Sequence, residues 1–384
     1  MIYKIPLVKN TFYKDSKTKR EIINFIKKDK KLSMGEECKK FEDNFSEFQN
    51  SKFSVFFSSG SAANLALIQS LKNLDILKND DNVAISGLTW STNVMPIIQH
   101  NLNPIPIDVK IANLNINLDS FEESFKKYKF SSVFLTNALG FSCDLERLKN
   151  FCKKNSILLI QDSCESLGTT YKGLKTNDYS FADTFSFFVG HQMSTIEGGM
   201  VVTHNEDLYE MLKIVRAHGW NRESKNFINE DFYSKFTFKD LAYNLRPQEI
   251  NGVIGNFQIK FLKENLVKRF KIFNQLNTAL NNKKSVFKLN PQNDFYAPFS
   301  FSLVFKDERD CIEIKKVFKD NLVEIRPIIS GNVSTQPFFK KYVSQKFNLE
   351  NCELVHKNGF YFGIHPDLTK KEISFILRLL QSIK

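Results

Sequence analysis

Between residues 53 and 162 five short apolar runs alternate with amphipathic segments, and this alternation constrains the fold more than any other feature of the chain. The runs are "FSVFFSS" (53–59), "NVAIS" (82–86), "NPIPID" (103–108), "SSVFLTNA" (131–138) and "SILLIQD" (156–162). Among them lie helical "AANLALIQSLKNL" (62–74), "LDSFEESFKKY" (118–128) and "DLERLKNFCKKN" (144–155). Strands that are apolar along their whole length need cover on both faces, which predicts a mainly parallel sheet between helical layers. The alternation weakens after about residue 215, and "PQEINGVIGNFQIKFLKENLVKRFKIFNQL" (247–276) predicts a long helix joining two lobes. Strand-like "FSFSLVF" and helical "KEISFILRLLQSI" follow it. The expected organisation is a large α/β domain over 1–250, then a linker helix and a smaller α+β domain over 251–384.

Composition narrows the class of protein. A 384-residue chain that is 42% hydrophobic and 25% charged reads as an ordinary soluble globular protein. Apolar runs long enough to span a bilayer are absent, and the start, "MIYKIPLVKNTFYKD", has no secretory pattern, so a cytoplasmic location without membrane contact is expected. The net charge of +12 comes from scattered lysines with no nucleic-acid reader motif among them. A solvated basic surface that steers an anionic small substrate accounts for it, and no nucleic-acid partner is expected. The cysteines at 38, 143, 152, 164, 311 and 352 form no CxxC and have no nearby CxH partner, which predicts reduced thiols and no metal site.

Ligands of open α/β sheets collect beyond the carboxyl ends of the strands, and several polar constellations fall there. In "SSGSAANL" (58–65), Gly60 permits close backbone approach, and the amides of Ser61 and Ala62 either cradle a phosphate or merely open a helix. Asp162 ends a buried strand in "LLIQDSCES", where a carboxylate caps a helix or holds a heteroaromatic nitrogen protonated. "TFSFFVGHQMSTIEGG" (184–199) places Ser186 five residues before His191, which is either a core histidine or a base. "RAHGWNR" (216–222) and "LAYNLRPQEINGVIG" (241–255) complete the set.

In their order and spacing these motifs resemble the pyridoxal phosphate-dependent sugar aminotransferases of the DegT/DnrJ/EryC/StrS family, from about residue 30 to the C-terminus. The resemblance implies the aspartate aminotransferase-like fold type I, with a mainly parallel seven-stranded sheet in the large domain. It implies that Gly60, Ser61, Ala62 and Ser186 bind the cofactor phosphate, that Trp90 in "LTWST" stacks on the ring, and that Asp162 pairs with the ring nitrogen. Glu165 would lie near the ring hydroxyl, and Asn244 in "YNLR" would reach the phosphate of a neighbouring subunit, so a homodimer with shared sites is expected.

The departure is His191, because aminotransferases of this family carry there the lysine to which the cofactor is bound. A histidine cannot make that bond, yet it remains a base near neutral pH. The exchange, with "GHQMSTIEGG" and "RPIISGNVSTQPFF" (326–339), resembles the 3-dehydratase branch, which uses pyridoxamine phosphate on a nucleotide-linked 4-keto-6-deoxyhexose and draws its amine from L-glutamate. One kind of 3-dehydratase holds a [2Fe–2S] cluster on cysteines, but residues 219–244 contain none, so the cluster-free kind is expected. Arg246, with Arg216 as the weaker candidate, either holds the glutamate carboxylate or makes a structural salt bridge, and Glu324 and Arg326 are further candidate substrate contacts. Two other readings are an aminotransferase whose lysine is displaced to Lys172 or Lys175, and an inactive relative that binds a sugar nucleotide as a regulator.

Overall fold

Seven strands form the central sheet of the computed structural model, which describes residues 3–28, 31–223, 225 and 227–384. They are β1 (Phe53–Phe57), β2 (Asn82–Ser86), β3 (Asn103–Ile107), β4 (Ser132–Thr136), β5 (Leu158–Asp162), β6 (Ala182–Ser186) and β7 (Gly199–Thr203). Their order across the sheet is β1-β7-β6-β5-β4-β2-β3. All pairings are parallel except those of β7, which runs antiparallel between β1 and β6. The five apolar runs read from the sequence supply β1 to β5, and nearly all their residues are buried, as strands covered on both faces must be.

Helices cover both faces. Of α1 (Asp15–Lys28), α2 (Glu36–Gln49), α3 (Gly60–Asn73), α4 (Ser91–Gln99), α5 (Leu118–Tyr128), α6 (Leu145–Lys154) and α7 (Glu206–Arg216), α3, α4 and α7 share one core with Val55, Val83 and Val201. The opposite face packs α5 and α6 against Ile105, Val133 and Leu159, and α2 against Phe56, Phe185 and Phe187. The long helix α8 (Glu249–Thr278) begins after Pro247, with Gln248 as an extended N-cap. Its first residue ties it to α2: the buried Glu249 carboxylate accepts from the amides of Gly35 (2.5 Å), Glu37 (2.6 Å) and Cys38 (3.3 Å). Those amides open α2, where Gly35 offers no side-chain cap of its own.

Beyond α8 lies a three-stranded antiparallel sheet, β8 (Ser300–Val304), β9 (Ile325–Arg326) and β10 (Gly359–Gly363), in the order β8-β10-β9. Helices α9 (Glu308–Asp320), α10 (Pro337–Tyr342), α11 (Glu350–Asn358) and α12 (Lys370–Gln381) complete this α+β lobe. The N-terminus also belongs here. Ile5 bridges to Val323, and the Leu7 amide donates to Glu324 at 2.9 Å. Pairing across more than 300 residues leaves no local pattern, which is why the sequence conceals it.

Removing the cap from α2 leaves three amides without an acceptor. Glu249→Ala is expected to cost about 2 kcal/mol of stability, since an amide-capping side chain contributes about 0.5–2 kcal/mol and buried donors left unpaired add to the loss. Urea unfolding measures this, and an unchanged midpoint would show that the carboxylate contributes nothing.

Candidate active site

The antiparallel course of β7 builds one wall of the site. Its first residue, Gly199, lies at the carboxyl ends of both neighbours, opposite Phe57 and Ser186. A Cβ on Gly199 would stand 2.2 Å from the Ser59 carbonyl oxygen, and one on Gly60 would stand 2.6 Å from the Ser186 Cβ. Glycine at both positions therefore lets the start of α3 close on the end of β6. Ser59 caps α3, its hydroxyl accepting from the Ala62 amide at 3.0 Å. This corrects part of the cradle expected from the sequence, because the Ala62 amide is already engaged while Gly60 and Ser61 line the open space.

That space is a cavity of about 400 Å³. It gathers Gly60, Ser61, Trp90, Asp162, Glu165, Ser186, His191 and Arg326 of the residues expected from the sequence. Trp90 is 53% exposed, so one face of its indole is free to stack. The carboxylate of Asp162, at the end of β5, is buried among three donors. Oδ1 accepts from the Cys164 amide at 2.8 Å, and Oδ2 from Asn64 Nδ2 at 2.9 Å and Asn93 Nδ2 at 2.8 Å. Thr184 holds Asn64 in place by donating to its Oδ1 at 2.6 Å. Sequence reasoning missed both asparagines; the only signal was a polar residue on an otherwise apolar helical face.

Two further groups are tuned by burial. Burial pushes the Glu165 carboxyl up to about 8, with the Asp162 charge adding to the effect and the Leu139 amide opposing it at 2.8 Å. Glu165 is therefore protonated at neutral pH and has a hydrogen to donate. Burial also pushes the His191 imidazole down to about 4, helped by the Arg269 guanidinium. His191 is thus a neutral base, flanked by the rings of Phe188 (6.1 Å) and Phe299 (5.7 Å), and its Nδ1 is buried without a partner.

Several expected contacts lie elsewhere. Arg216 is a correction: it is buried away from the cavity, donating to Glu42 Oε1 at 2.5 Å and to the Phe56 carbonyl at 3.1 Å. Its position at the end of α7 points it beneath β1, and a cation buried there needs the Glu42 carboxylate. Glu324 accepts from the Leu7 amide and pairs with Arg326 at 3.2 Å, outside the cavity lining. Asn244 is exposed and accepts from Arg246 Nε at 3.0 Å, and neither residue lines the cavity. Lys172 pairs with Glu146 on the surface and Lys175 lies over the Phe48 ring, and neither lines the cavity. Among the described residues no lysine lines the cavity.

Comparison with known proteins agrees with this geometry. A model of the DegT/DnrJ/EryC1/StrS aminotransferase family matches residues 14–381. The chain belongs to this family. It is 32% identical over 373 residues to GDP-4-keto-6-deoxy-D-mannose 3-dehydratase of Escherichia coli O55:H7, covering 92% of this chain and 94% of that one. A solved E. coli GDP-4-keto-6-deoxy-D-mannose 3-dehydratase with bound hydrated PLP superposes with a TM-score of 0.93 at 28% identity, over 99% of this chain and 100% of that one. Another structure of GDP-4-keto-6-deoxymannose 3-dehydratase, with a trapped PLP–glutamate geminal diamine, gives 0.93 at 28% over 98% of this chain and 100% of that one. At that likeness the seven-stranded fold type I architecture is common to both.

Protonated Glu165 has a measurable consequence. An unfolded glutamate titrates near about 4.3, whereas the folded carboxyl titrates at about 8. Between those values the folded chain holds a proton that the unfolded chain has lost, so stability falls as pH rises across the interval. Glu165→Gln removes that loss, and the variant should lose less stability than the parent between about pH 5 and pH 8, by up to about 1.4 kcal/mol per unit. Urea unfolding at both pH values reads the difference; equal losses in the two proteins would mean that Glu165 is ionised when folded.

Proposed function

We propose that this chain is a 3-dehydratase that removes the 3-hydroxyl of a nucleotide-linked 4-keto-6-deoxyhexose with pyridoxal/pyridoxamine phosphate, taking the amine from L-glutamate, in the deoxysugar biosynthesis that supplies lipopolysaccharide O-antigen. The observation that carries this reading is His191, its Nδ1 buried without a partner, in a cavity that no lysine lines among the described residues.

The residues present fit the cofactor. Gly60 leaves room that a side chain would fill, and the hydroxyls of Ser61 and Ser186 stand beside it for the phosphate. The Asp162 carboxylate suits a protonated ring nitrogen, the free face of Trp90 suits the ring, and protonated Glu165 suits the ring oxygen. Bound there, pyridoxamine phosphate supplies an amine that condenses with the 4-keto group and a protonated ring that draws electrons.

The protein's own part is proton movement and exclusion. Neutral His191 takes a proton from the carbon that bears the amine. As imidazolium it returns a proton to the leaving 3-hydroxyl oxygen, so one group serves as base and then acid. Phe188 and Phe299 keep bulk water from the imidazole, and Arg326 at the rim accepts the substrate diphosphate. With no lysine to compete for the cofactor, the sequence ends in hydrolysis, releasing ammonia and the 3-deoxy-4-keto sugar. Asn244 and Arg246 serve the site of a second copy, in a homodimer; the exposure of Asn244, with half-buried Arg246 beside it, on a segment that also exposes Phe232, Phe236, Phe238 and Leu241 supports this.

The test incubates the protein, pyridoxal phosphate and glutamate with GDP-, CDP-, UDP- and dTDP-linked 4-keto-6-deoxyhexoses, aerobically, with a chelator and without a reductase. Loss of the 3-hydroxyl, followed by mass spectrometry, with ammonia and 2-oxoglutarate in equal amounts, is the expected outcome; a 4-amino sugar as product would make the chain an aminotransferase. His191→Asn should bind the cofactor nearly as before while the rate falls by about a hundred- to ten-thousand-fold, and a loss below tenfold would remove His191 from the chemistry. Asn244→Ala mixed with His191→Asn should regain activity through hybrid dimers with one intact site, whereas a monomer at sedimentation equilibrium would refute the shared site.

A further inference from the structure

Arg269 is an unusual residue to find in the middle of a linker helix. It lies on α8, is 4% exposed, and among the described residues has no carboxylate within 4.0 Å of its guanidinium. A cation is costly to bury without an ionised partner, so its neighbours matter. Its hydrogen-bond partners are all neutral acceptors, and the one charge that acts favourably on it, Asp367, stands beyond ion-pair distance and beside His365. Nε donates to Asn265 Oδ1 at 3.0 Å, one turn earlier on α8; Nη1 donates to the Phe299 carbonyl at 2.9 Å; Nη2 donates to the His191 carbonyl at 3.3 Å.

Those acceptors surround one side chain. His191 sits in the loop between β6 and β7, whose own main chain offers few constraints near it: the His191 amide donates to the Phe188 carbonyl at 3.0 Å. Asn265, itself held by Arg269, donates to the next carbonyl, that of Gln192, at 2.6 Å. The Gln192 side chain then donates to the carbonyls of Glu165 (2.5 Å) and Ala297 (2.7 Å). Phe299, whose carbonyl takes the other arm of the fork, packs its ring 5.7 Å from the imidazole. One planar guanidinium thus fixes both the backbone that carries His191 and the ring that flanks it.

We propose that Arg269, with Asn265, is the positioning device for His191: the fork holds the backbone on which the imidazole stands, and its buried charge lies close to the base. This rests on the dehydratase reading of the cavity and extends it. A fixed positive charge favours the neutral imidazole, which is the form that can accept a proton, and it makes the imidazolium a readier donor once formed. Both effects suit a single residue that must act as base and then as acid. His365, buried nearby, responds to the same charge and is pushed down to about 3 by burial and by Arg269. The other ionisable groups lining the cavity with His191 are Asp162, Cys164, Glu165, Glu197, Arg326 and Tyr361, and none of them changes in the variants below.

The test is a histidine NMR titration of the protein free of cofactor and sugar nucleotide, with resonances assigned through His191→Asn and His365→Asn. Arg269→Gln keeps hydrogen-bond donors and removes the charge, and both histidines should titrate higher, by about one pH unit, a roughly tenfold gain in proton affinity. A purely structural Arg269 would lower the melting temperature and leave both titrations where they are, which overturns the proposal. Arg269→Lys decides the case should the Gln variant not fold. It retains the charge without the fork, so the titrations should stay low while amide hydrogen exchange over residues 188–193 rises at least about tenfold as the loop loosens; unchanged exchange overturns the proposal. Because these readings need no turnover, they stand apart from the product assay, whose failure would sink the dehydratase reading alone.

Discussion

A buried carboxylate at the end of β5 is the constraint that the rest of the site satisfies. Buried carboxylate oxygens need hydrogen-bond donors, and for Asp162 they come from three places: Asn64 on α3, Asn93 on α4 and the Cys164 amide after β5. Each donor pins the start of its element against the strand ends. The helix that presents Asn64 is the one that Gly60 brings close to Ser186, and the helix that presents Asn93 is the one that Trp90 precedes. Packing of the open sheet and placement of the polar groups are therefore one problem with one solution. The left-over Oδ1 of Asn93, buried without a partner, marks how tightly that solution is drawn.

Charge in the cavity is sorted by environment rather than by residue type. Asp162 and Glu165 are three residues apart, yet one is surrounded by donors while the other has a single amide and is pushed up to about 8. Like charges close together oppose each other in a buried site, and the Asp162 charge adds to the rise at Glu165. His191 differs again: burial, with the Arg269 guanidinium close by, pushes its imidazole down to about 4.

How much of this was legible in the sequence follows from the range of the interactions. Strands β1 to β5 and helices α5 and α6 were readable because period and composition are local, and α6 even carries its Asp144 cap in view. His191 and Asp162 stood out by their place after apolar strands, but there each had two readings, and the family resemblance supplied their expected roles. Arg216 was not, since an arginine that ends a helix looks the same whether it faces a ligand or, as here, a glutamate 174 residues away. Asn64 was hidden among alanines and leucines, and Arg269 among the lysines of "VKRFK", where a charge run normally reads as a solvated face. The bridge between Ile5 and Val323 had no signal at all. Local chemistry announces itself; burial of a polar residue by distant chain does not.

The long helix gains a different meaning in this light. An interlobe helix needs only to be stiff, yet α8 carries polar residues that no spacer requires, among them Glu249, Asn265 and Arg269. Glu249 caps α2 at its first turn, Asn265 grips the loop between β6 and β7, and Arg269 grips that loop and the entry to β8 together. The large domain supplies His191 and the small one supplies Phe299, so the surroundings of the imidazole are defined only where both meet on α8. A histidine forms no covalent bond to an aldehyde cofactor, and its aim must come from the protein. The buried fork on α8 supplies that aim through the backbone that carries His191 and the carbonyl of Phe299.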